Sequence, residues 1–254
     1  MKKDICKDKK VLIIIADDNE TFRDAVSFEC EMWGCRTVAA SNGKEGLESF
    51  MKFRNVDLIV SDVRMPEWDG GRFLVELRKI SGVQPPFIFM SGFADITIFD
   101  ALDAGADAFI EKPLDLEFFH NLGCKLLTPI SQRWNEEPDE KPVVEIKASF
   151  EKFEGDKRFQ LGRGGFFVSR EMIPSFEQLR ANQTVGIDFA FKEGSIRKLQ
   201  GLGTTAWIRQ DRHNELLVGC GIFFEYLDPC CNSHVVDYIK QSHATKTIPK
   251  GEEL

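Results

Sequence analysis

Five short apolar runs, spaced so that one helix fits between each pair, restrict the possible folds of the first half of the chain. The runs are VLIIIA (11–16), CRTVAA (35–40), VDLIVS (56–61), PFIFMS (86–91) and DAFIEK (107–112). Helices are expected at 19–33, 42–53, 70–79, 95–104 and 115–126. Strands that alternate with helices form a parallel sheet covered on both faces, and such strands are apolar throughout because neither face meets water. We therefore expect a doubly wound α/β domain with five parallel strands over residues 1–127.

A change in the sequence pattern after residue 127 predicts a second domain. The chain has 254 residues, which exceeds the ~100–200 residues of an ordinary single domain. Residues 128–144 begin with TPISQRWNEEPDEKP, whose three prolines and acidic cluster are typical of a linker. The later runs GGFFVS, TVGIDFAF, TTAWIR and LLVGCGIFFEYL are strand-like, and a helical stretch follows at 231–242. This pattern predicts a small all-β barrel or sandwich with a closing C-terminal helix over 145–243, then a loose tail at 244–254.

Composition narrows the class of protein. A hydrophobic content of 43% and a charged content of 29% are typical of a soluble globular chain. The seven cysteines are odd in number and irregularly spaced, which indicates free thiols in a reducing compartment and no disulfide framework. Only five strongly apolar residues follow the basic start MKKDICKDKK, too few for a signal peptide, and no stretch approaches the ~20 residues of a membrane span. We expect a cytoplasmic protein without membrane insertion.

The charge distribution argues against nucleic-acid binding. Residues 1–129 carry 16 basic and 22 acidic side chains, and residues 141–250 carry 16 and 13. An acidic first half repels a phosphate backbone, and the small basic excess of the second half is too weak to attract one. No helix-turn-helix pattern stands out in the second half either. We expect no contact with DNA.

Polar residues follow four of the five predicted strands. The first strand leads into Asp17 and Asp18, the third into Asp62, the fourth into Ser91 and the fifth into Lys112. Ligands of open parallel sheets bind beyond the carboxyl ends of the strands, so these side chains are expected to converge. Three carboxylates at one edge repel each other unless a cation lies among them, and oxygen ligands suit Mg²⁺. A cation, a lysine and a hydroxyl together supply the positioning and charge neutralisation that phosphoryl transfer needs.

The first 127 residues resemble the receiver domain of two-component response regulators. The resemblance is carried by ADDNE, SDVRMPEWDG, MSG and EKP, and by the spacing between them. It implies a flavodoxin-like fold and a phosphoryl group delivered by a histidine kinase or phosphotransfer protein. The implied site residues are the phosphoacceptor Asp62, the Mg²⁺ ligands Asp18, Asp62 and the Arg64 backbone carbonyl with Asp17 in support, the switch hydroxyl Ser91, the phosphate partner Lys112 and the switch aromatic Phe109.

The resemblance suggests a switching hypothesis. An acyl phosphate on Asp62 adds negative charge, which would draw Ser91 inward and make room for Phe109 to rotate. The segment 95–112 would then present a different surface. Ile96 and Phe99 lie three apart on its helix and could form a partner or homodimer surface, with a role in the core as the alternative.

No catalytic group is evident in the second half. It contains no nucleophile beside a base, and His213, His234 and His243 are interpreted as surface residues. Cys220 lies in a strand-like run and is expected in the core. We therefore predict that the chain is a phosphoacceptor and not an enzyme.

The stretch RFQLGRGGFFVS (158–169), with GTTAWIR and CGIFFEYLDP, resembles the PilZ domain, a small β-barrel that binds cyclic di-GMP. The resemblance covers roughly residues 145–242. In the family's barrel motif, Gln160 takes the acid or amide position, Gly162 the serine position and Gly165 the glycine position, and only Gly165 matches. The pair of arginines four apart that precedes the barrel in the family is not evident here. The candidate nucleotide-binding residues are therefore Arg158, Gln160, Arg163 and Gly165.

These features predict a response regulator that is phosphorylated on Asp62 and acts through phosphorylation-controlled contacts between proteins. Two alternatives remain open. In the first, the PilZ-like domain also binds cyclic di-GMP, so that the chain integrates two signals. In the second, the first domain is a pseudo-receiver that is never phosphorylated and the chain is a constitutive scaffold.

Overall fold

The computed structural model divides the chain into two compact units. One unit comprises residues 1–97 and 104–128, and the other comprises residues 98–103 and 129–254. The residues that the structure describes are 11–53, 55–80, 85–92, 98–139, 141–211, 216–242 and 246–251. Within those ranges, no helix is both long and apolar enough to cross a bilayer.

The first unit is built on a five-stranded parallel sheet. Its strands are β1 (Leu12–Ala16), β2 (Arg36–Ala40), β3 (Leu58–Asp62), β4 (Phe87–Ser91) and β5 (Ala108–Glu111). Its helices are α1 (Glu20–Met32), α2 (Gly43–Lys52), α3 (Gly70–Lys79) and α5 (Leu116–Leu127). The strand order is β2-β1-β3-β4-β5, and every neighbouring pair is parallel. The prediction of a doubly wound five-stranded α/β domain is confirmed.

Local sequence signals explain where the helices of this unit begin. Each of the four is preceded by an Asn or Asp side chain that accepts the N–H of the residue three positions further on; these caps are Asn19, Asn42, Asp69 and Asp115. Such caps satisfy N–H groups that the first helical turn leaves without partners. The three central strands are buried at every position, as expected for a sheet covered on both faces.

Helix α4 (Ile98–Asp103) lies in sequence between β4 and β5, but it belongs to the second unit. It ends at Asp103, one residue before the end of the helix predicted at 95–104, and the first three residues of that prediction lie outside the described residues. Ile96, one of the two residues predicted to form a partner surface, lies outside the described residues, as does the side chain of Phe99. The homodimer surface on the 95–112 segment therefore stays a prediction.

The second unit contains a six-stranded sheet and a C-terminal helix, which is compatible with the predicted small all-β domain and its closing helix. The elements are β6 (Val144–Lys152), β7 (Phe159–Leu161), β8 (Gly165–Ser169), β9 (Thr184–Glu193), β10 (Lys198–Arg209), β11 (Gly219–Leu227) and α6 (Pro229–Ser242). The strand order is β6-β9-β10-β11-β8-β7, with β6 and β9 parallel and the other pairs antiparallel. The sequence gives a weak signal for β7, which spans three residues, whereas β6 shows the alternation of apolar and polar residues that is typical of a half-buried strand.

Aromatic rings fill the core of the second unit. Phe159 lies against five neighbouring phenylalanines with ring centroids 5.2–5.9 Å apart; these are Phe150, Phe153, Phe166, Phe189 and Phe191. Cys220 is fully buried among these core residues, as predicted, and burial raises the pKa of its thiol well above the usual range. His234 is exposed, whereas His213 and His243 lie outside the described residues.

Part of the expected linker is packed into this core. The Trp134 side chain is buried, its ring meets that of Phe224 edge-on at 5.1 Å, and its carbonyl accepts the N–H of Leu227 at 2.9 Å. The prediction of a linker over 128–144 is therefore wrong at Trp134. The reason is that a side chain with so large an apolar area gains more from burial than the chain loses in freedom.

The prediction of a loose tail at 244–254 is also wrong for residues 246–251. Thr247 is 2% exposed and Ile248 is fully buried. Ile248 packs in a small cluster that contains Leu102, Phe167 and Trp207. The apolar Ile248 and the backbone bonds described below hold this segment, although its polar flanks gave no sign of it.

Candidate functional site

Three charged side chains meet at the carboxyl edge of the parallel sheet. Asp17 follows β1, Asp62 ends β3 and Lys112 follows β5. Lys112 Nζ donates to Asp17 Oδ2 at 2.8 Å and to Asp62 Oδ1 at 2.6 Å. One ammonium group therefore bridges two carboxylates that lie 45 residues apart in sequence.

The backbone holds both carboxylates in place. The N–H of Asn19 donates to Asp17 Oδ1 at 2.9 Å, and the N–H of Arg64 donates to Asp62 Oδ2 at 3.1 Å. Asp17 is fully buried and Asp62 is 8% exposed. Each carboxylate thus has one oxygen on the backbone and the other on Lys112, which fixes its orientation.

The Lys112 side chain is itself positioned from two sides. Its Nζ lies 4.5 Å from the centre of the Phe22 ring, within reach of a cation–π interaction. Its backbone N–H donates to the Ser91 carbonyl at 2.8 Å, which continues the ladder between β4 and β5. The Phe22 ring and this backbone hydrogen bond therefore help to fix the ammonium group beside the two carboxylates.

The pKa values of Asp62 and Lys112 are both raised, but for different physical reasons. Burial raises the pKa of Asp62, since the bond from Lys112 only partly offsets the loss of hydration and the like charge of Asp17 acts in the same sense as burial. Burial by itself lowers the pKa of Lys112, but its bonds to Asp17 and Asp62 outweigh that effect and raise it. Lys112 is thus held as a cation beside carboxylates whose negative charge exceeds its own.

The remaining sequence-predicted residues of this edge lie on β4, on β5 and in the loop after β3. Ser91 ends β4, is fully buried, and its hydroxyl donates to the Gly92 carbonyl at 2.9 Å. Phe109 is half-buried on β5 and lies opposite Phe89 in the ladder. Arg64 is exposed in the loop after β3.

A glycine shapes the loop that leaves Asp62. The N–H of Gly70, the first residue of α3, donates to the Val63 carbonyl at 2.9 Å. A Cβ at Gly70 would lie 2.2 Å from the Asp62 carbonyl oxygen, much closer than real Cβ contacts. Only glycine allows α3 to begin this close to the end of β3, so the sequence WDGG serves the geometry of the site.

The geometry agrees with the result of a family comparison. Residues 13–122 match the family model of the response regulator receiver domain. This part of the chain is a response regulator receiver domain. Receiver domains are phosphoacceptor signalling domains of two-component systems, and they bind Mg²⁺.

Individual relatives match less than half of this chain. The regulatory protein AtoC of Escherichia coli K12 is 35% identical over 106 residues, which cover 41% of this chain and 23% of that protein. The probable transcriptional regulator ycf27 of Guillardia theta is 32% identical over 111 residues, covering 43% and 42%. The solved receiver domain of the Francisella response regulator 1452 is 29% identical over 46% of this chain and 96% of that chain, with a TM-score of 0.42. The matches to the two curated relatives span less than half the length of either.

The acidic edge of the receiver domain is chemically suited to Mg²⁺. Its candidate ligands are all oxygens: the carboxylates of Asp17 and Asp62 share one cation, Lys112, and the carboxylate of Asp18, the next residue after Asp17, is exposed. Within the described residues, no three acidic, His or Cys side chains form a group that could hold a metal ion by itself. Mg²⁺ retains several waters and is usually bound through one or two carboxylates together with a phosphate, so a closed protein cage is not required.

The glycine-rich stretch of the second unit has a different arrangement. The Arg158 guanidinium donates to both oxygens of Asp156, at 2.9 Å from Nε and 2.6 Å from Nη2. Arg163 Nε donates to Thr247 Oγ1 at 3.2 Å. Gln160 is half-buried in β7, and Gly165 begins β8 opposite Phe223 of β11. Both arginines thus make contacts within the protein.

Three residues of these regions were not singled out from the sequence. Phe22 lies beside Lys112, Asn19 orients Asp17, and Asp156 binds Arg158. Asn19 could have been found as the helix cap in ADDNE, and Asp156 as an acid two residues before an arginine. Phe22 carried no such signal, because its contact joins residues 90 positions apart.

Proposed function

We propose that the chain is a two-component response regulator that accepts a phosphoryl group on Asp62. The bridge from Lys112 Nζ to Asp62 Oδ1 and Asp17 Oδ2 is the observation that carries this proposal. A nucleophilic carboxylate needs a neighbouring cation to accept a dianionic group, and Lys112 provides one. The receiver-domain match over residues 13–122 supports it independently.

The transfer conserves atoms and charge. The P–N bond of a phosphohistidine breaks, its nitrogen keeps the electron pair, and Asp62 Oδ forms the new P–O bond to give an acyl phosphate. Lys112 would then exchange its bond to the carboxylate for one to a phosphoryl oxygen, as positioning and charge neutralisation are what this reaction requires. The donor would be a histidine kinase or a phosphotransfer protein.

Asp18, Asp62 and the Arg64 carbonyl would hold Mg²⁺, with Asp17 in support. When bound, the ion neutralises charge on the phosphoryl oxygens. Asp17 contributes in addition by keeping Lys112 charged, since its carboxylate accepts from Nζ.

Ser91 and Phe109 would convert phosphorylation into a change of surface. The Ser91 hydroxyl donates to the adjacent Gly92 carbonyl, a local bond that it can exchange for one to a phosphoryl oxygen. Phe109 is only half-buried on β5, so space vacated near Ser91 could accept its ring. The segment between these two residues contains α4, which would present a changed surface.

The output we propose is contact with another protein through the second unit, which we interpret as PilZ-like. The engagement of Arg158 by Asp156 and of Arg163 by Thr247 favours this output over cyclic di-GMP binding. Isothermal titration with cyclic di-GMP distinguishes the two. Binding at micromolar concentration or below would support the two-signal alternative instead.

Phosphoryl uptake tests the proposed function directly. The full chain is incubated with Mg²⁺ and a small acyl phosphate donor, and the intact mass is measured. Wild type and the Asp24→Asn control, which removes an exposed carboxylate on α1, are expected to gain one phosphoryl group, whereas Asp62→Ala gains none. A wild type that stays unmodified would instead support the pseudo-receiver scaffold.

A further inference from the structure

The glycine loop at residues 162–165 is covered by a segment of the same unit. The N–H of Arg163 donates to the Lys246 carbonyl at 2.9 Å, and the N–H of Gly164 donates to the Thr247 carbonyl at 3.1 Å. These are the backbone donors that a glycine-rich loop would otherwise offer to an anion. Residues 246–251, which we name the strap, therefore occupy them with carbonyl oxygens.

The glycines of this loop make room for the strap. A Cβ at Gly162 would lie 2.4 Å from the Thr247 carbonyl oxygen and 2.8 Å from that of Lys246. Both of these atoms are backbone, so they could not move aside as a flexible side chain could. The absence of a side chain at residue 162 therefore fits close contact with the strap.

The far end of the strap is bonded near the start of β11. The Leu217 N–H donates to the Gly251 carbonyl at 2.8 Å, and Arg209 Nη1 donates to the Lys250 carbonyl at 2.8 Å. Between the two ends, Ile248 is fully buried in a cluster that contains Trp207. The strap is thus fixed at both ends and in the middle.

The other side of the strap is anchored to α4 by charge. Lys246 Nζ lies 2.9 Å from Asp103 Oδ1, and Lys250 Nζ lies 2.9 Å from Asp100 Oδ1. The Thr247 N–H donates to the Leu102 carbonyl at 2.9 Å, and the Lys250 N–H donates to Asp103 Oδ1 at 3.1 Å. Asp103 is the last residue of α4, where the helix dipole disfavours a negative charge, so the two lysines compensate an otherwise unfavourable position.

These anchors are weak enough to open. Each ion pair has one side chain that is 40% exposed, Lys246 or Asp100, and a less exposed partner, Asp103 at 13% or Lys250 at 25%. Ion pairs that are open to solvent on one side are screened by salt and contribute modest stability. Backbone bonds at the periphery of a domain likewise open far more readily than those of a core strand. The strap can therefore be released while the sheet of the unit stays intact.

We propose that the strap is a conformational latch, which α4 holds closed over the glycine loop through Asp100 and Asp103. Because α4 falls between Ser91 and Phe109 in the chain, phosphorylation of Asp62 weakens these anchors and exposes the loop. In this last step the inference rests on the proposed function. The latch itself depends only on contacts within the second unit.

Hydrogen–deuterium exchange of the full chain tests the latch. The reporters are the amides of residues 163, 164, 217, 247 and 250, each of which donates to the strap or from it. The double variant Asp100→Asn with Asp103→Asn is expected to exchange about tenfold faster at the reporters, with no change at Phe189 in β9. The control Glu76→Gln, which breaks an exposed ion pair with Lys79 in α3, leaves the reporters unchanged. Reporters that stay at the wild-type rate in the double variant would overturn the latch.

Two further measurements keep the test independent of that variant. Wild type in about 1 M NaCl, where charges are screened within a few ångströms, should show the same selective acceleration, and its absence counts against the latch. Wild type carrying a phosphoryl group on Asp62, verified by intact mass, should do so as well. Unchanged reporters in that sample would overturn release by phosphorylation and leave the proposed function standing. Failure to take up a phosphoryl group would overturn the proposed function, and with it the release step, while the double variant still decides whether the latch exists.

Discussion

Two regions of this molecule carry residues suited to phosphate, and their contacts differ. At the sheet edge, Lys112 bridges Asp17 and Asp62, and the carboxylates outnumber the cation. In the glycine loop, Arg158 is bound by Asp156 and the backbone donors are taken by the strap. The first region is short of positive charge, whereas the second has its donors already satisfied.

This difference shows that residue type alone does not identify a ligand site. A lysine and a glycine-rich turn each indicate a phosphate site when only the sequence is considered. The structure decides between them by whether their hydrogen-bond donors already have acceptors within the protein. An excess of negative charge at the strand ends favours binding of a cation, and the bound cation in turn favours a phosphoryl group. Loop donors that already have acceptors within the protein contribute to the fold, because losing one partner of such a hydrogen bond leaves the other polar group unsatisfied.

The largest expected effect comes from removing the cation of the first region. Lys112→Ala should lower the rate of phosphoryl uptake at Asp62 by about 100-fold or more, since a charge aimed at the transferred group is lost. Arg158→Ala, the matched change in the second region, should leave the rate unchanged. Both rates follow from intact mass against time with a small acyl phosphate donor. Equal losses in the two variants would contradict the comparison.

A glycine substitution tests whether the strap contacts the glycine loop of the second region. Gly162→Ala should destabilise the second unit by about 1–3 kcal/mol, because its Cβ would crowd the Thr247 carbonyl. Gly71→Ala in α3 is the control and should be neutral or slightly stabilising, since its new Cβ meets nothing closer than Asp69 Oδ1 at 3.4 Å. Urea unfolding of both variants provides the measurement. A Gly162→Ala protein as stable as wild type would mean that the strap does not contact the loop in solution.

The smallest expected effect concerns pH. The bonds from Arg158 hold the pKa of Asp156 below its usual range, so the ion pair stabilises the fold above the unfolded-state pKa of about 4 and is lost as the pH falls through the folded-state value. We expect a contribution of about 1 kcal/mol at neutral pH. Comparing urea midpoints of wild type and Asp156→Asn between neutral pH and about pH 3 isolates it. The difference between the two proteins should shrink towards acid, and a constant difference would exclude this ion pair as its source.

Much of the first unit could be predicted because its signals are local. Apolar runs of strand length and helix caps such as Asn42 are read directly from neighbouring residues. The order of polar residues at the strand ends was enough to expect Asp17, Asp62 and Lys112 together, since parallel strands place their carboxyl ends at one edge. The strand at 144–152 was not predicted, although its alternation of buried and charged residues is the pattern typical of a half-buried strand.

The sequence by itself determined the parallel sheet and the identity of the charged residues at its edge. Only the tertiary structure decided which residues distant in the chain come into contact. It placed Phe22 beside Lys112, buried Trp134 and Ile248, and brought the carbonyls of Lys246 and Thr247 to the N–H groups of the glycine loop. The physical reason is range. Hydrophobic period and capping act between residues a few positions apart, whereas the pairing of donors in a loop depends on segments about 80 residues away that only folding brings into contact.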